Sequence, residues 1–160
     1  GITGATGELV KWAVSKDPVS GLIHTRGIVD ITGLASVATD NDIIAFGTTN
    51  PAYLGQITAA VNGTIVAGKA TLLEAPATGE VDIDVWAADE ATGKGSDLIT
   101  GLTGEVAVFT AAGDWGTIRE VAMSAPPGPN QYLYLTVGTS STPTAATYTA
   151  GIFLFEFWGL

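Results

Sequence analysis

The chain contains no cysteine, one histidine and few charged residues. Without cysteine, neither disulfides nor thiolate-bound metals can hold the fold together. No apolar run approaches the roughly 20 residues of a membrane-spanning helix, so we expect no membrane partner. No basic segment followed by an apolar stretch stands at the start, and we therefore expect no secretory signal. Stability has to come from the burial of a core and from association with neighbours.

Positive charge is also scarce, since the chain has six Lys and Arg residues and sixteen Asp and Glu residues. The formal net charge of −10 would repel a polyanion, so we expect no nucleic-acid partner. Only 14% of the residues are charged, whereas about 25% is typical. A surface poor in charge and rich in Thr, Ser, Ala and Gly is typical of proteins packed against neighbours, and also of many extracellular β-proteins.

The clearest structural signal lies in the last thirty residues, where 131–138 and 147–158 are dense in aromatic and β-branched residues. Such segments favour buried strands over helices. In the second segment Phe153, Phe155 and Phe157 share one face, and Ile152, Leu154, Glu156 and Trp158 share the other. Both faces are largely apolar, which predicts a central strand covered on both sides.

About eight short strands follow residue 40, separated by turns rich in Gly, Pro and Asn. With 160 residues, the chain can form one domain with a substantial core. The strand spacing predicts an all-β fold, an antiparallel β-sandwich, with the jelly roll as its favoured form. Asn62-Gly63 predicts a two-residue type I′ hairpin.

Residues 80–86 alternate between acidic and apolar side chains. This alternation predicts a strand with one face in the core and one in solvent. Val81, Ile83 and Val85 are expected inside, and Glu80, Asp82, Asp84 and Trp86 outside.

Residues 1–40 differ from the remainder, since their periodicity is weak and glycines interrupt them. We expect an extended N-terminal arm or peripheral hairpin in 1–40, and the sandwich domain in 41–160. An extended strand can add to the edge of a neighbouring sheet, so the arm is a candidate anchor on a partner. The candidate partner-contact residues are Leu9, Trp12, Val14, Ile23 and Ile28.

Catalytic motifs are hard to find, and we expect neither an enzyme nor a bound cofactor or metal. His24 has no G-x-S-x-G sequence to serve, and a surface or hydrogen-bonded role is expected for it. Residues 92–96 lack the spacing of a phosphate-binding loop. The carboxylates of Asp82 and Asp84, of Asp40 and Asp42, and of Asp89 and Glu90 could bind Ca²⁺ or serve glycoside hydrolysis. Without a diagnostic spacing, a solvated acidic rim is the expected reading.

Two of the four tryptophans are candidates for exposure. Trp86 follows the acidic strand face, and Trp115 stands in a Gly-Asp-Trp-Gly turn. Exposed tryptophan can stack on sugar rings or anchor a protein interface, although most tryptophans fill space in their own fold.

Several segments together resemble a group of small virion proteins of tailed bacteriophages of the marine and cyanobacterial type. They are residues 56–65, Gly68-Lys69 leading to Leu73-Glu74, Asp82-Ile83-Asp84, 131–135, 148–154, Glu156 and Gly159. The resemblance covers about residues 42–160 and implies a head decoration (cement) protein. Such a protein is a β-sandwich, commonly trimeric, on the exterior of the capsid, where major capsid protein subunits meet. No catalytic residues come with this resemblance.

The residues and the resemblance thus agree on a protein that acts by adhesion, cementing adjacent subunits of the major capsid protein on the virion. The alternative is a jelly-roll module of a fibre or spike that binds a carbohydrate or receptor. That alternative requires two or more exposed aromatic side chains in a concave patch beside Asp or Asn. A glycosidase is a distant third and requires paired carboxylates in a cleft, one with a raised pKa.

Overall fold

The computed structural model describes residues 9–160, which form two antiparallel sheets packed as a sandwich. The strands are β1 (Val10–Lys16), β2 (Ile23–Asp30), β3 (Gly55–Gln56), β4 (Ile65–Ala77), β5 (Ile83–Ala88), β6 (Val106–Phe109), β7 (Glu120–Ala122), β8 (Tyr132–Val137) and β9 (Ala150–Gly159). The five-stranded sheet has the order β1-β2-β9-β4-β7, and the four-stranded sheet has the order β3-β8-β5-β6. The predicted all-β sandwich is confirmed, while the jelly-roll topology stays a prediction.

Strand β9 lies in the centre of the five-stranded sheet, where it pairs with β2 and β4. Phe153, Phe155 and Phe157 point inward and are buried. The central position is confirmed, but the prediction that both faces are covered is wrong. On the outer face Leu154 and Trp158 are only half-buried, because no further layer packs there within residues 9–160.

The N-terminal part of the described chain forms a hairpin in the same sheet. Strand β1 pairs with β2 over its whole length, and β2 pairs with β9 from Ile23 to Asp30. Val29, Ile31 and Leu34 are buried in the core that β9 helps to form. The predicted arm or hairpin is therefore a hairpin over residues 10–30, and residues 1–8 of the predicted arm lie outside the described residues.

The outer face of the four-stranded sheet is covered, unlike that of the five-stranded sheet. Tyr134 and Ala88 belong to this outer face and are buried against side chains from the loops that precede β3 and follow β5. The covering side chains are those of Ile43, Ala45, Ala52 and Ile99. Backbone hydrogen bonds connect these loops to the sheet, for example from the Ile44 N–H to the Leu135 carbonyl of β8 at 2.9 Å.

The predicted hairpin at Asn62-Gly63 is wrong, because Ala59–Asn62 form a short helix, α1. The side chain of Asn62 is buried and accepts a hydrogen bond from the Thr58 N–H at 2.8 Å. Its amide group donates to the Thr25 hydroxyl of β2 at 2.9 Å, so a tertiary contact favours the helical turn. None of the helices within residues 9–160 has the length and hydropathy that a membrane span requires.

Trp12 closes the gap between the two sheets at the β1 edge. Its indole N–H donates to the Leu54 carbonyl at 2.9 Å, which links β1 to the segment before β3. The indole lies directly over Gly27 and Gly55, and a Cβ on either glycine would overlap it. Glycine at these two positions therefore makes the close approach of the ring possible.

We predict that Gly27→Ala lowers the free energy of unfolding by about 1–3 kcal/mol, the usual cost of overpacking. The added methyl group meets the Trp12 ring, which has the β2 backbone beneath it. Urea denaturation followed by tryptophan fluorescence measures the effect. Gly116→Ala is the control, since a Cβ there meets open space. Equal stability of Gly27→Ala and the parent would show that the ring is not fixed as described.

Candidate functional site

The exposed outer side of the five-stranded sheet carries a patch of apolar side chains, which we call the open face. Ile28 and Leu73 are 47% and 52% exposed. Ile28 lies directly opposite Leu154 in the β2–β9 register, so the two side chains are neighbours on this face. The apolar members of the open face are Ile28, Leu73, Ile152, Leu154 and Trp158.

Charged side chains of both signs form a row across the open face. Lys69 Nζ lies 3.3 Å from Glu120 Oε2 and 3.8 Å from Glu156 Oε1. Glu156 Oε2 also lies 2.9 Å from His24 Nε2, and the His24 ring stacks on Trp158 with ring centroids 4.9 Å apart. The expectation of a hydrogen-bonded His24 is confirmed. Because Glu156 lies between Leu154 and Trp158 on β9, this row separates Trp158 from the other apolar side chains of the open face.

Arg26 is the exception in this row, although it lies directly opposite Glu156 in the register. It is exposed and forms no ion pair within residues 9–160, because the Glu156 carboxylate is engaged by His24 and Lys69. The open face carries three of the chain's six basic residues and four of its sixteen acidic ones: Lys11, Arg26 and Lys69, and Asp30, Glu74, Glu120 and Glu156. The open face is therefore less acidic than the protein as a whole.

The five predicted partner-contact residues do not form one surface. Leu9 is buried in the core, so its predicted role is wrong; its backbone carbonyl accepts from the Asp30 N–H and its side chain turns inward. Trp12 and Ile23 are half-buried, and Trp12 packs on the core. Ile28 belongs to the open face, whereas Val14 is exposed on the other side of the sheet, at its edge.

The predicted exposure of Trp115 is wrong, because this side chain is only 1% exposed. Its turn carries it between the sheets, where it packs edge-on against Phe153 at 5.1 Å and donates to the Ile83 carbonyl at 2.7 Å. Trp86 is half-buried beneath the covering loops, and its indole nitrogen has no hydrogen-bond partner in the described part of the chain. The two tryptophans therefore make no shared surface patch.

Glu80 organises the loop between β8 and β9, although it was expected in solvent. It is buried, and its Oε1 accepts from the Asp82 N–H at 2.8 Å and from the Ser141 hydroxyl at 2.8 Å. Its Oε2 accepts from the Thr144 N–H at 2.6 Å. Hydrogen bonds of this kind to a carboxylate are the stronger class, so Glu80 fixes the loop to the start of β5.

Asp82 and Asp84 are also buried, which corrects the prediction of a solvated acidic rim. Asp82 accepts from the Ser140 N–H at 2.6 Å, while its other oxygen has no partner within residues 9–160. Burial raises the pKa of Asp82, and the nearby Glu80 and Asp114 raise it further. Burial likewise raises the pKa of Asp84 to about 6, although the Ala111 N–H donates to it at 2.8 Å.

These carboxylates are structural, because each one tethers a loop to β5 or to the chain just before it. No group of three or more His, Asp and Glu side chains is placed to hold a metal ion in the described chain. A surface hollow of about 240 Å³ formed by residues 45–52 has no carboxylate in its lining. A groove of about 270 Å³ beside β1 has none either. Within residues 9–160, the open face is the surface that combines exposed apolar side chains with ion-paired charged ones.

The chain matches no protein-family model, no curated protein and no solved structure.

We predict that Asp84→Asn stabilises the protein at neutral pH and flattens its pH dependence. The pKa of about 6 in the folded protein lies above the 3.8 of an unperturbed aspartate, so the stability that the neutral Asp84 contributes is full below about pH 4 and is lost as pH rises through 6. The difference between the two pKa values corresponds to at most roughly 3 kcal/mol, and the asparagine oxygen can still accept from the Ala111 N–H.

Urea unfolding at pH 4, 5, 6, 7 and 8 tests this prediction. Asp40→Asn, a change of the same charge at an exposed position, is the control and should leave the profile as in the parent. A profile for Asp84→Asn that is parallel to the parent profile would contradict the buried environment of Asp84.

Proposed function

We propose that this protein is a structural component of a bacteriophage virion that binds the outside of the capsid and cements adjacent subunits of the major capsid protein. The observation that carries the proposal is the open face: one sheet of the sandwich is covered by loops, and the other presents Ile28, Leu73 and Leu154 to solvent. The sequence resemblance over about residues 42–160 is a second, independent support.

The open face has the composition expected of a docking surface. Contiguous exposed apolar groups rimmed by polar ones are typical of protein interaction sites. The ion pairs of Lys69 already restrict the charged side chains beside the apolar ones, so less side-chain freedom is lost on docking. Arg26 has no partner within the described residues and can pair with a carboxylate of the bound surface. A partner that offers apolar groups beside an acidic residue fits this surface.

Cementing follows from the shape and stiffness of such a surface. A β-sheet deforms little, so a sheet docked across the junction between two subunits stays bound to both of them. Separating the subunits would expose the buried apolar surface, and the free energy of that exposure opposes their separation. Each contact is modest, and many copies over one shell add their contributions. The net charge of −10 keeps the protein from competing for the packaged DNA.

The alternative of a carbohydrate-binding module has less support. It relied on Trp86 and Trp115 as exposed stacking platforms, and Trp115 is buried. Phe46 is half-exposed beside Asn50 at the hollow formed by residues 45–52, but it is the one aromatic side chain in that lining. Two stacking surfaces in one concave patch are required by that reading, and this hollow provides one.

We predict that Ile28→Glu weakens binding to expanded capsids by tenfold or more. The substitution places a carboxylate beside Leu154 on the open face, and removing that carboxylate from water on docking costs about 1–3 kcal/mol even with Lys11 opposite it in β1. Ile28 is about half exposed in the free protein, so the fold tolerates the change. Co-sedimentation of the variant with capsids of the phage that encodes the chain measures the effect.

Val19→Glu is the matched control, because it makes the same change of charge at a residue that is 93% exposed in the turn between β1 and β2. This variant should bind as the parent does. Undiminished binding of Ile28→Glu, with parent binding intact, would exclude the open face as the docking surface. Failure of the parent to bind any capsid would exclude the proposed function itself.

A further inference from the structure

Strand β1 forms an edge of the five-stranded sheet and is paired on one side only within the described residues. It spans Val10–Lys16 and is exposed from Ala13 onward. An edge strand of this length leaves a row of backbone N–H and C=O groups available for pairing with another strand. Proteins commonly protect such an edge with bulges, proline or charged side chains. Strand β1 has neither a bulge nor a proline, and its charged residues are Lys11 and Lys16.

The residues of β1 are complementary to those of a second, antiparallel copy of the same strand. A twofold pairing centred on Ala13 places Trp12 opposite Val14 of the second copy, and Lys11 opposite Ser15. No two like charges then stand opposite each other. Val14, which is 45% exposed in the single chain, gains an aromatic neighbour in each copy.

A groove beneath the β1 edge leaves room for the inward-pointing side chains of an added strand. Its volume is about 270 Å³, and its lining is formed by Trp12, Val14, Ile57, Val61 and Leu133, among others. Val61 is 54% exposed at its rim, so the groove opens to solvent on the side where a strand would pair.

The charge distribution also favours a second copy at this edge. Each chain has a net charge of −10, and two chains repel each other at most orientations. Residues 9–16 contain Lys11 and Lys16 and no acidic residue. Contact through β1 therefore brings together two segments that carry no acidic residue.

We propose that two copies of this chain associate through antiparallel pairing of β1 with β1, centred on Ala13. The two five-stranded sheets then continue into one another, and the two open faces lie side by side on the same surface. This twofold contact differs from the trimer that the sequence resemblance implies. The inference does not depend on binding to a capsid, because the isolated protein should form the pair.

Disulfide trapping tests the register directly, because the chain has no cysteine of its own. In Ala13→Cys the two thiols stand opposite each other, with Cβ atoms about 4.5–5.5 Å apart, close to disulfide range. We expect most of this variant to become a covalent dimer under mild oxidation at micromolar concentration. Ala122→Cys is the control, since Ala122 is exposed on β7 at the opposite edge of the sheet and should cross-link far more slowly.

Sedimentation equilibrium of the parent and of Val14→Lys supplies the second readout. The parent should sediment as a dimer at micromolar concentration, and Val14→Lys should raise its dissociation constant at least tenfold. Val19→Lys adds the same charge in the neighbouring turn and should dimerise as the parent does. A parent that is monomeric at tens of micromolar, or trimeric, would overturn the proposal. Equal cross-linking rates of Ala13→Cys and Ala122→Cys would overturn it as well.

Discussion

The structure depends on the burial of one face of β9 against the four-stranded sheet. Phe155 and Phe157 pack on Phe109 with ring centroids 5.8 and 5.4 Å apart, and Phe153 packs on Trp115. Each buried aromatic side chain contributes roughly 1.5–3 kcal/mol, so this row fixes which sheets face each other. Within residues 9–160 only this face of β9 is covered, and the residues on its other face are partly exposed.

The two outer faces of the sandwich differ, since loops cover one of them and no described layer covers the other. Over the four-stranded sheet, loops bury Tyr134 and form a second small core. Over the five-stranded sheet, paired charges such as Lys69 and Glu156 hold a partly apolar surface in the open. A sheet face that is ordered but uncovered is suited to adhesion, and the edge of the same sheet is suited to pairing with a second copy.

Local alternation of apolar and polar residues predicted the strands and the side chains that they bury. It did not predict burial by residues that are distant in the sequence. The apolar residues on both faces of β9 predicted a central strand, and β9 is central, although only its phenylalanine face is covered within residues 9–160. Glu80, Asp82 and Asp84 alternate as an exposed face would, but distant residues bury them: Ser36, Ala111 and the loop from 138 to 147. Hydrogen bonds such as that from Ser140 to Asp82 are formed over long sequence separations, and spacing along the chain carries no signal for them. The burial of Trp115 and of Leu9 was missed for the same reason.

The central claim is that the protein binds through the outer face of its five-stranded sheet, and lysine footprinting on decorated capsids tests it most directly. Lys69 lies on the open face, whereas Lys94 lies in the loops that cover the other sheet. Acetylation of both lysines is compared by mass spectrometry in the free and capsid-bound protein. The account predicts that binding protects Lys69 and leaves Lys94 as reactive as before. Protection of Lys94 with Lys69 unchanged would contradict it.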